Sequence, residues 1–437
     1  MNSIQFSAKN TLTPVKDLKK ISPKCDKKTQ VMKKALEKGY NDDHASIYLP
    51  SDEEGLVTIK KVIAEKSKLK PAAIIVVGIG GSNLGTIAVQ EAVFGKLYNQ
   101  LTTGTKIFYA DTVDTDTIND IRLIIEPLLK KGKRVILNAV SKSGGTTETI
   151  ANFEVLLHII KKYDKNYRDS VVITTNKDSK FELLAKKNKF STLEIPVLVG
   201  GRYSVLSAVG LFPLGLIGID IDELVRGAKD IQELTLSSKA INNPAAISAI
   251  NLFLAHKQKI TIHDHFVFSN DLESVGKWYR QLMGESIGKE FNLKKKRVFA
   301  GITPTVSIGS TDLHSMAQLY LGGPYDKITT FISINPRSDL KLPTMKAYDA
   351  LVPKIQGRSL QELMDAILQG VKNAFKKGKR PYMEIELGDK SEYSIGMLLQ
   401  LKMFEIVYLA DLMGVNPFNQ PNVESYKIET KKILKKK

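Results

Sequence analysis

Two segments of this chain have residue types and spacing suited to holding an anion: Gly78-Ile79-Gly80-Gly81-Ser82-Asn83-Leu84-Gly85 and Ser141-Lys142-Ser143-Gly144-Gly145-Thr146-Thr147-Glu148-Thr149. Each follows an apolar, strand-like run, Ala73–Val77 and Val135–Val140 respectively, and each leads into helical patterning. A strand that hands a glycine- and hydroxyl-rich turn to a helix start presents bare backbone N–H groups, the positive end of the helix dipole and hydroxyl donors to one place. The first loop is not a dinucleotide fingerprint, because Asn83 stands where the third glycine belongs. It is not a P-loop either, because Gly85 is followed by Thr86 rather than Lys. In the second, Ser141, Ser143, Thr146 and Thr149 supply four hydroxyls. A capping box with Glu148 would use only one of them. The surplus predicts phosphate binding, and two such loops predict a small phosphorylated ligand, with Gly81 and Ser82 at the tip of the first.

Other candidates are ambiguous taken singly. Arg202, after Gly200-Gly201, is either a surface ion-pair partner or a guanidinium facing a developing oxyanion. Glu285, in Gln281-Leu282-Met283-Gly284-Glu285-Ser286, is either a structural acid or a general base. His314, in Asp312-Leu313-His314-Ser315, is either a satisfied structural residue or a proton donor to a sugar oxygen. His263-Asp264-His265 has no third ligand or cysteine to complete a metal site and reads as structural or surface. Asn416–Lys427 reads as a turn leading to a helix, with Lys427 at its far end.

The elements that must position these groups alternate. Strand-like runs at Ala73–Val77, Lys106–Ala110, Val135–Val140 and Val171–Thr175 are separated by helical stretches such as Thr86–Val93 and Glu148–Lys162, which predicts a parallel sheet with helices on both faces. A second pass has helices at Ser204–Leu216, Pro244–His256 and Ser359–Lys376, with strands at His265–Ser269, Ile328–Ile334 and Pro381–Leu387. An apolar helix, Tyr393–Met413, and a basic tail close the chain, while residues 1–38 read as a polar, Lys-rich arm with helix-compatible Val31–Lys38.

Bulk properties narrow the function. The 437 residues are 43% hydrophobic and 25% charged, ordinary for a soluble globular protein. No apolar run reaches the ~18 residues of a membrane span. One cysteine, Cys25, forbids an intramolecular disulfide, and the N-terminus lacks a signal-peptide layout, so the expected location is cytoplasmic. The net charge of +18 is mostly dispersed lysine without interleaved aromatics. It reads as a solvated surface that steers anions rather than as a nucleic-acid face.

Taken in order, Val77–Gly85, Ser141–Thr149, Gly200–Leu216, Lys277–Lys289, Thr311–Gly323 and Asn416–Lys427 closely resemble the phosphoglucose isomerase (glucose-6-phosphate isomerase) family, compact bacterial type, most specifically in GGRYSVLSAVGL and GESIGK. The resemblance implies an α/β chain of two SIS-type, flavodoxin-like parallel-sheet domains with a C-terminal helical arm. It divides the chain into a helical arm (1–45), a first SIS domain (46–210), a second (211–392) and the C-terminal helix and arm (393–437). It implies interconversion of glucose 6-phosphate and fructose 6-phosphate without metal or organic cofactor. By the same resemblance Glu285 is the base that moves a proton between C2 and C1. His314 and Lys427 open the ring, and Arg202 faces the enediolate. Ser141, Lys142 (through its backbone), Ser143, Thr146 and Thr149 bind phosphate; Gly81, Ser82 and Gln281 contact the sugar. A homodimer is implied, with His314 supplied across the interface, and no nucleic-acid or membrane partner. Other readings are a dual phosphoglucose/phosphomannose isomerase and a non-catalytic sugar-phosphate sensor; a sensor has no use for Glu285, His314 and Lys427 together. Three positions depart from the family pattern: Gly145 replaces the usual Thr, Asn419 the usual Asp and Asn422 the usual Gly. The Lys-rich stretch Phe291–Val298 has no role legible in the sequence.

Overall fold

A computed structural model describes residues 4–435. Among them the strands are β1 (Ile4–Asn10), β2 (Ala73–Val77), β3 (Lys106–Ala110), β4 (Val135–Val140), β5 (Val171–Thr175), β6 (Ser191–Glu194), β7 (Ile262–Val267), β8 (Lys289–Phe291), β9 (Arg297–Ala300), β10 (Thr303–Ile308), β11 (Lys327–Ile334) and β12 (Tyr382–Leu387). The chain forms two compact units: a first made of Gln30–Gln232, and a second that combines residues up to Thr29 with those from Glu233 onward.

The first unit holds a fully parallel sheet in the order β3-β2-β4-β5-β6. Numbered along the chain, that is the flavodoxin-like order 2-1-3-4-5. The central strands β2, β4 and β5 are buried at every position, as expected for strands covered on both faces. Ile75, Val77, Leu137 and Ile173 pack with Ile121, Ile125, Phe153, Leu156 and Phe181 from the covering helices in one aliphatic and aromatic core. The two glycine- and hydroxyl-rich loops follow β2 and β4, which are direct parallel neighbours. This is the topological switch point, where the crossover connections leave in opposite directions and open a crevice at the strands' carboxyl ends.

The second unit's sheet runs β1-β12-β11-β7-β10. Its four parallel strands repeat the spatial order 2-1-3-4, and the fifth place is taken by β1, antiparallel to β12 with Ile4 opposite Leu387. Phe266, Phe268, Phe331, Phe375 and Tyr382 form an aromatic cluster against this sheet. The helix Glu273–Ile287 lies close on β10: a Cβ at Gly276 would sit 2.6 Å from a Val306 methyl, so only glycine permits that approach. β8 and β9 form a separate antiparallel hairpin.

Three expected elements differ from the structure, the first being the strand expected at His265–Ser269, which runs Ile262–Val267. The stretch Ser204–Leu216 is a 3-10 segment, Gly201–Leu206, followed by the helix Ala208–Leu216, because Ser207 is extended and its hydroxyl accepts from the Val209 N–H at 3.2 Å. The N-terminal helix begins at Val15, not Val31, and carries Pro23 inside it.

Candidate active site

In the first unit, the Ser141–Thr149 loop is held by its neighbours rather than by its own helix. Thr175 Oγ1 donates to the Ser141 carbonyl at 2.6 Å and shares a 2.9 Å hydrogen bond with Ser179 Oγ. The Asn176 N–H donates to the Lys142 carbonyl at 3.2 Å. Gly144 takes φ +68°, and a Cβ there would meet Phe181 at 2.9 Å, so glycine is needed on both counts. Thr146 occupies the N-cap of the helix Thr147–Tyr163 but makes no side-chain cap; its hydroxyl instead shares a 3.1 Å bond with Ser141 Oγ. The Thr149 hydroxyl is buried without a partner in the protein. These hydroxyls therefore do not cap the helix. Ser143 and Gly145 are exposed at the loop's tip, and a Cβ on Gly145 meets nothing within 4 Å.

The loop after β2 is pressed against the turn that carries Arg202. Asn83 Nδ2 donates to the Gly78 carbonyl at 2.7 Å and closes the glycine turn. A Cβ on Gly81 would lie 2.2 Å from the Gly201 carbonyl carbon and 2.6 Å from the Arg202 nitrogen. Ser204 Oγ, bonded to the Gly201 carbonyl at 2.7 Å, stiffens this junction. Ser82 sits half-buried beside it. Arg202 is 1% exposed, with its guanidinium 5.3 Å from the Tyr203 ring centroid. Burial, with the Arg202 charge added, lowers the Lys142 ammonium below its ordinary range. Two cations thus share a partly desolvated environment, which favours an anion there. The Lys142 side chain is accordingly part of this cationic environment, in addition to its backbone.

In the second unit, Gln281 and Glu285 are on successive turns of one helix, and Gln281 Nε2 donates to Glu285 Oε1 at 3.1 Å. Gln281 Oε1 is buried without a protein partner. That bond fixes one carboxylate oxygen of Glu285 and so limits the directions in which the acid can act. His314 is exposed on the turn after β10, and the motif around it is explained by Asp312. One Asp312 oxygen accepts from the Ile308 N–H at 2.7 Å and the other from Ser315 Oγ at 2.7 Å. Downstream, Tyr320 OH shares a 2.7 Å bond with Ser307 and donates to the buried Asp264 at 3.2 Å, so the segment bearing His314 is pinned on both sides. Burial, then the Asp264 charge, pushes the Tyr320 phenol up to about 12. Lys427, in the helix Glu424–Lys435, is half-exposed and paired with Glu424 at 2.7 Å. Gln281 and Glu285 are therefore joined directly, whereas His314 and Lys427 stand on separate segments of this unit.

His263 and His265 are both buried: His263 is hydrogen-bonded on both nitrogens, whereas His265 stacks on the Tyr279 ring at 3.7 Å with neither nitrogen partnered in the protein. Thr330 Oγ1 lies 2.8 Å from His263 Nε2, Tyr279 OH lies 3.0 Å from Nδ1, and Tyr279 OH donates to Glu405 Oε1 at 2.6 Å. The phenol proton is committed to Glu405, so Nδ1 must be the protonated nitrogen of a neutral ring. Burial, reinforced by the Lys402 cation, holds both imidazoles well below their ordinary pKa. Lys402 and Ser248 complete the set of donors on Glu405 at 2.8 and 2.5 Å.

The model of the family described as phosphoglucose isomerase matches residues 66–437. The chain belongs to the phosphoglucose isomerase family. It is 33% identical over 396 residues to a glucose-6-phosphate isomerase of Carboxydothermus hydrogenoformans, spanning 89% of this chain and 83% of that one. It is 31% identical to a glucose-6-phosphate isomerase of Thermus thermophilus, over 88% and 89% of the two chains. Among solved structures, a glucose-6-phosphate isomerase from Chlamydia trachomatis superposes with a TM-score of 0.83 at 20% identity, over 99% and 89% of the two chains, which speaks for the fold. As a phosphoglucose isomerase family member the chain carries the SIS-type α/β architecture in both of its sheets.

Proposed function

We propose that this chain interconverts glucose 6-phosphate and fructose 6-phosphate as a step of glycolysis and gluconeogenesis. The observation that carries the reading is the hydroxyl loop after β4, whose cap threonine is turned away from its helix and whose Thr149 oxygen is buried and unpartnered, in a family member that also holds a Gln-oriented glutamate. Ser141, Ser143, Thr146 and Thr149, with the Lys142 backbone, take the phosphate. Gly81, Ser82 and Gln281 contact the sugar hydroxyls.

His314 and Lys427 act on the closed sugar, where breaking the C1–O5 bond needs a proton delivered to the ring oxygen and one removed from the C1 hydroxyl. In the open aldose, the Glu285 carboxylate removes the C2 proton, and the electron pair forms the C1=C2 bond of an enediolate. Arg202 neutralises the oxyanion. The O2 hydroxyl proton passes to O1, and Glu285 returns its proton to C1, leaving a ketone at C2. Atoms and charge balance with no external reductant or oxidant. A general base of this kind contributes ~10²–10⁴ in rate.

The exposed placement of His314 supports its delivery to a second copy in a homodimer. A single buried cysteine supports a cytoplasmic location. No helix among the described residues is long and apolar enough to cross a membrane.

The test is conversion of fructose 6-phosphate in deuterium oxide, following product and deuterium at C1 and C2. The parent chain is expected to do both, and Glu285→Gln neither. Turnover in that variant near the parental rate removes Glu285 from the mechanism.

A further inference from the structure

Lys289 lies just beyond the helix that carries Glu285, and it is 5% exposed. Its ammonium donates to the Glu285 carbonyl, in the last turn of that helix, and to the Asn419 carbonyl at 2.9 Å. The first contact puts a cation on the negative end of a helix, where carbonyls lack intrahelical partners. The second reaches into the turn that precedes the helix bearing Lys427. Two further bonds join the same pieces. Asn422 Nδ2 donates to Glu290 Oε2 at 3.1 Å, and the Leu293 N–H donates to the Gly414 carbonyl at 2.8 Å. Glu290 is itself held by Arg297 at 2.9 Å across the β8–β9 hairpin. The hairpin therefore stitches the chain after Glu285 to the connection between the helices Glu392–Met413 and Glu424–Lys435.

Burying an ammonium is expensive unless its hydrogens are engaged, and a plain helix cap would need only the first of the two carbonyls. The second carbonyl, 130 residues further along the chain, is what distinguishes a tie from a cap. We propose that Lys289 is a positioning residue that sets Glu285 and the Lys427 arm in one frame, so that ring opening and proton transfer depend on it together. This rests on the assignment of Glu285 as base and Lys427 as a ring-opening group. Lys289 touches no reacting atom; it acts through the backbone of the first and the approach to the second.

The two steps can be read separately. Anomer exchange of glucose 6-phosphate by exchange NMR reports ring opening, and deuterium incorporation at C1 and C2 reports proton transfer. Lys289→Met is expected to slow both by roughly 10–100-fold, the scale of an ångström-level misplacement. KM should stay within about threefold, because the phosphate-binding hydroxyls lie elsewhere in the chain. Lys289→Arg, which keeps donors for two carbonyls, is expected to recover about tenfold of the loss in both steps. A folded Lys289→Met chain that keeps either step within about threefold of the parent overturns the coupling. Should that variant fail to fold, Lys289→Arg decides: both steps fall by similar factors if the coupling holds, and a divergence of more than about tenfold overturns it. Glu285→Gln that still exchanges deuterium removes the base assignment on its own. An inactive Glu285→Gln beside a fully active Lys289→Met removes only the tie.

Discussion

Both sheets run their parallel strands in the same 2-1-3-4 spatial order, yet the two units fill that frame with different chemistry. In the first unit the central strands are mostly apolar and wholly uncharged, with only Asn138, Thr174 and Thr175 as buried polar side chains, and the remaining polar groups of interest sit in loops, at Ser141–Thr149, Gly81–Ser82 and Arg202. In the second, polar and charged side chains enter the interior itself. His263, His265 and Asp264 lie on β7, and Lys402 and Glu405 form a pair 1% exposed on each side. On the roles proposed above, one winding serves a half that grips and a half that moves protons. A gripping half needs only backbone and hydroxyls at a crevice, which an oily interior can hold rigid. A half that carries acids and bases on helices needs those helices fixed in rotation, and directional hydrogen bonds in the interior do that better than shape alone. The network Thr330–His263–Tyr279–Glu405 fixes the helix of Glu285 in this way.

The comparison is broken most severely by exchanging what each half should lose. Glu285→Gln, in the second unit, should lower kcat by ~10²–10⁴ while KM stays within a few-fold. Thr149→Val, in the first, should do the reverse, raising KM roughly tenfold with kcat little changed, since a hydrogen bond to a charged group contributes ~1.5–3 kcal/mol. It should also leave the melting temperature unchanged or higher, because the deleted hydroxyl is buried without a protein partner. Steady-state kinetics and thermal unfolding of both variants check this, and a Thr149→Val chain that loses kcat but not KM would erase the division of labour.

Acidification should then separate the halves by stability. His263 and His265 have folded pKa values held well below the ordinary 6.5 by burial and by Lys402. Their contribution is present above about pH 6.5 and is lost as pH falls toward the folded values, by up to ~1.4 kcal/mol per unit for each histidine. Hydrogen exchange followed from pH 7 to pH 5 should show protection falling first in β7, β11 and the helix Glu273–Ile287. Uniform loss across both sheets would contradict that. The smallest effect expected is a gain. Gly145→Thr restores a hydroxyl where a new Cβ meets nothing within 4 Å, and it should lower KM for fructose 6-phosphate by roughly two- to fivefold.

Much of the first unit was legible in the sequence. Strands β2 to β5 fall on the four apolar runs read from the sequence, and for β2, β4 and β5 burial on both faces demands near-continuous hydrophobicity. Edges and interiors that break this rule were not. β1 is partly exposed and mixes polar with apolar residues, β6 is short and partly exposed, and β10, Thr303–Ile308, hides behind Pro304 and three hydroxyls. β7 begins at Ile262, not His265, because His-Asp-His, read as structural or surface, gives no apolar signal for a strand, although all three side chains are buried. The hydroxyl loop and the Gln281–Glu285 spacing could be read, since each is local. Thr175, which holds that loop from the end of the next strand, and Ser179, which bonds Thr175, could not, and neither could Lys289, whose partner is 130 residues distant. The stretch Phe291–Val298, opaque as sequence, proves to be mostly hairpin, and Asn422 supplies a bond to Glu290 that a glycine has no atoms to make.

The place of β1 bears on how the molecule is made. Its partner β12 lies about 370 residues downstream, so during synthesis β1 must wait for a strand made long after it. At ~5–20 residues per second that interval is roughly 20–75 s, during which Gln30–Gln232, an uninterrupted stretch, is already complete. During synthesis the stretch Gln30–Gln232 is therefore available to fold before the other sheet can close, and β1 stays without its partner strand in the meantime.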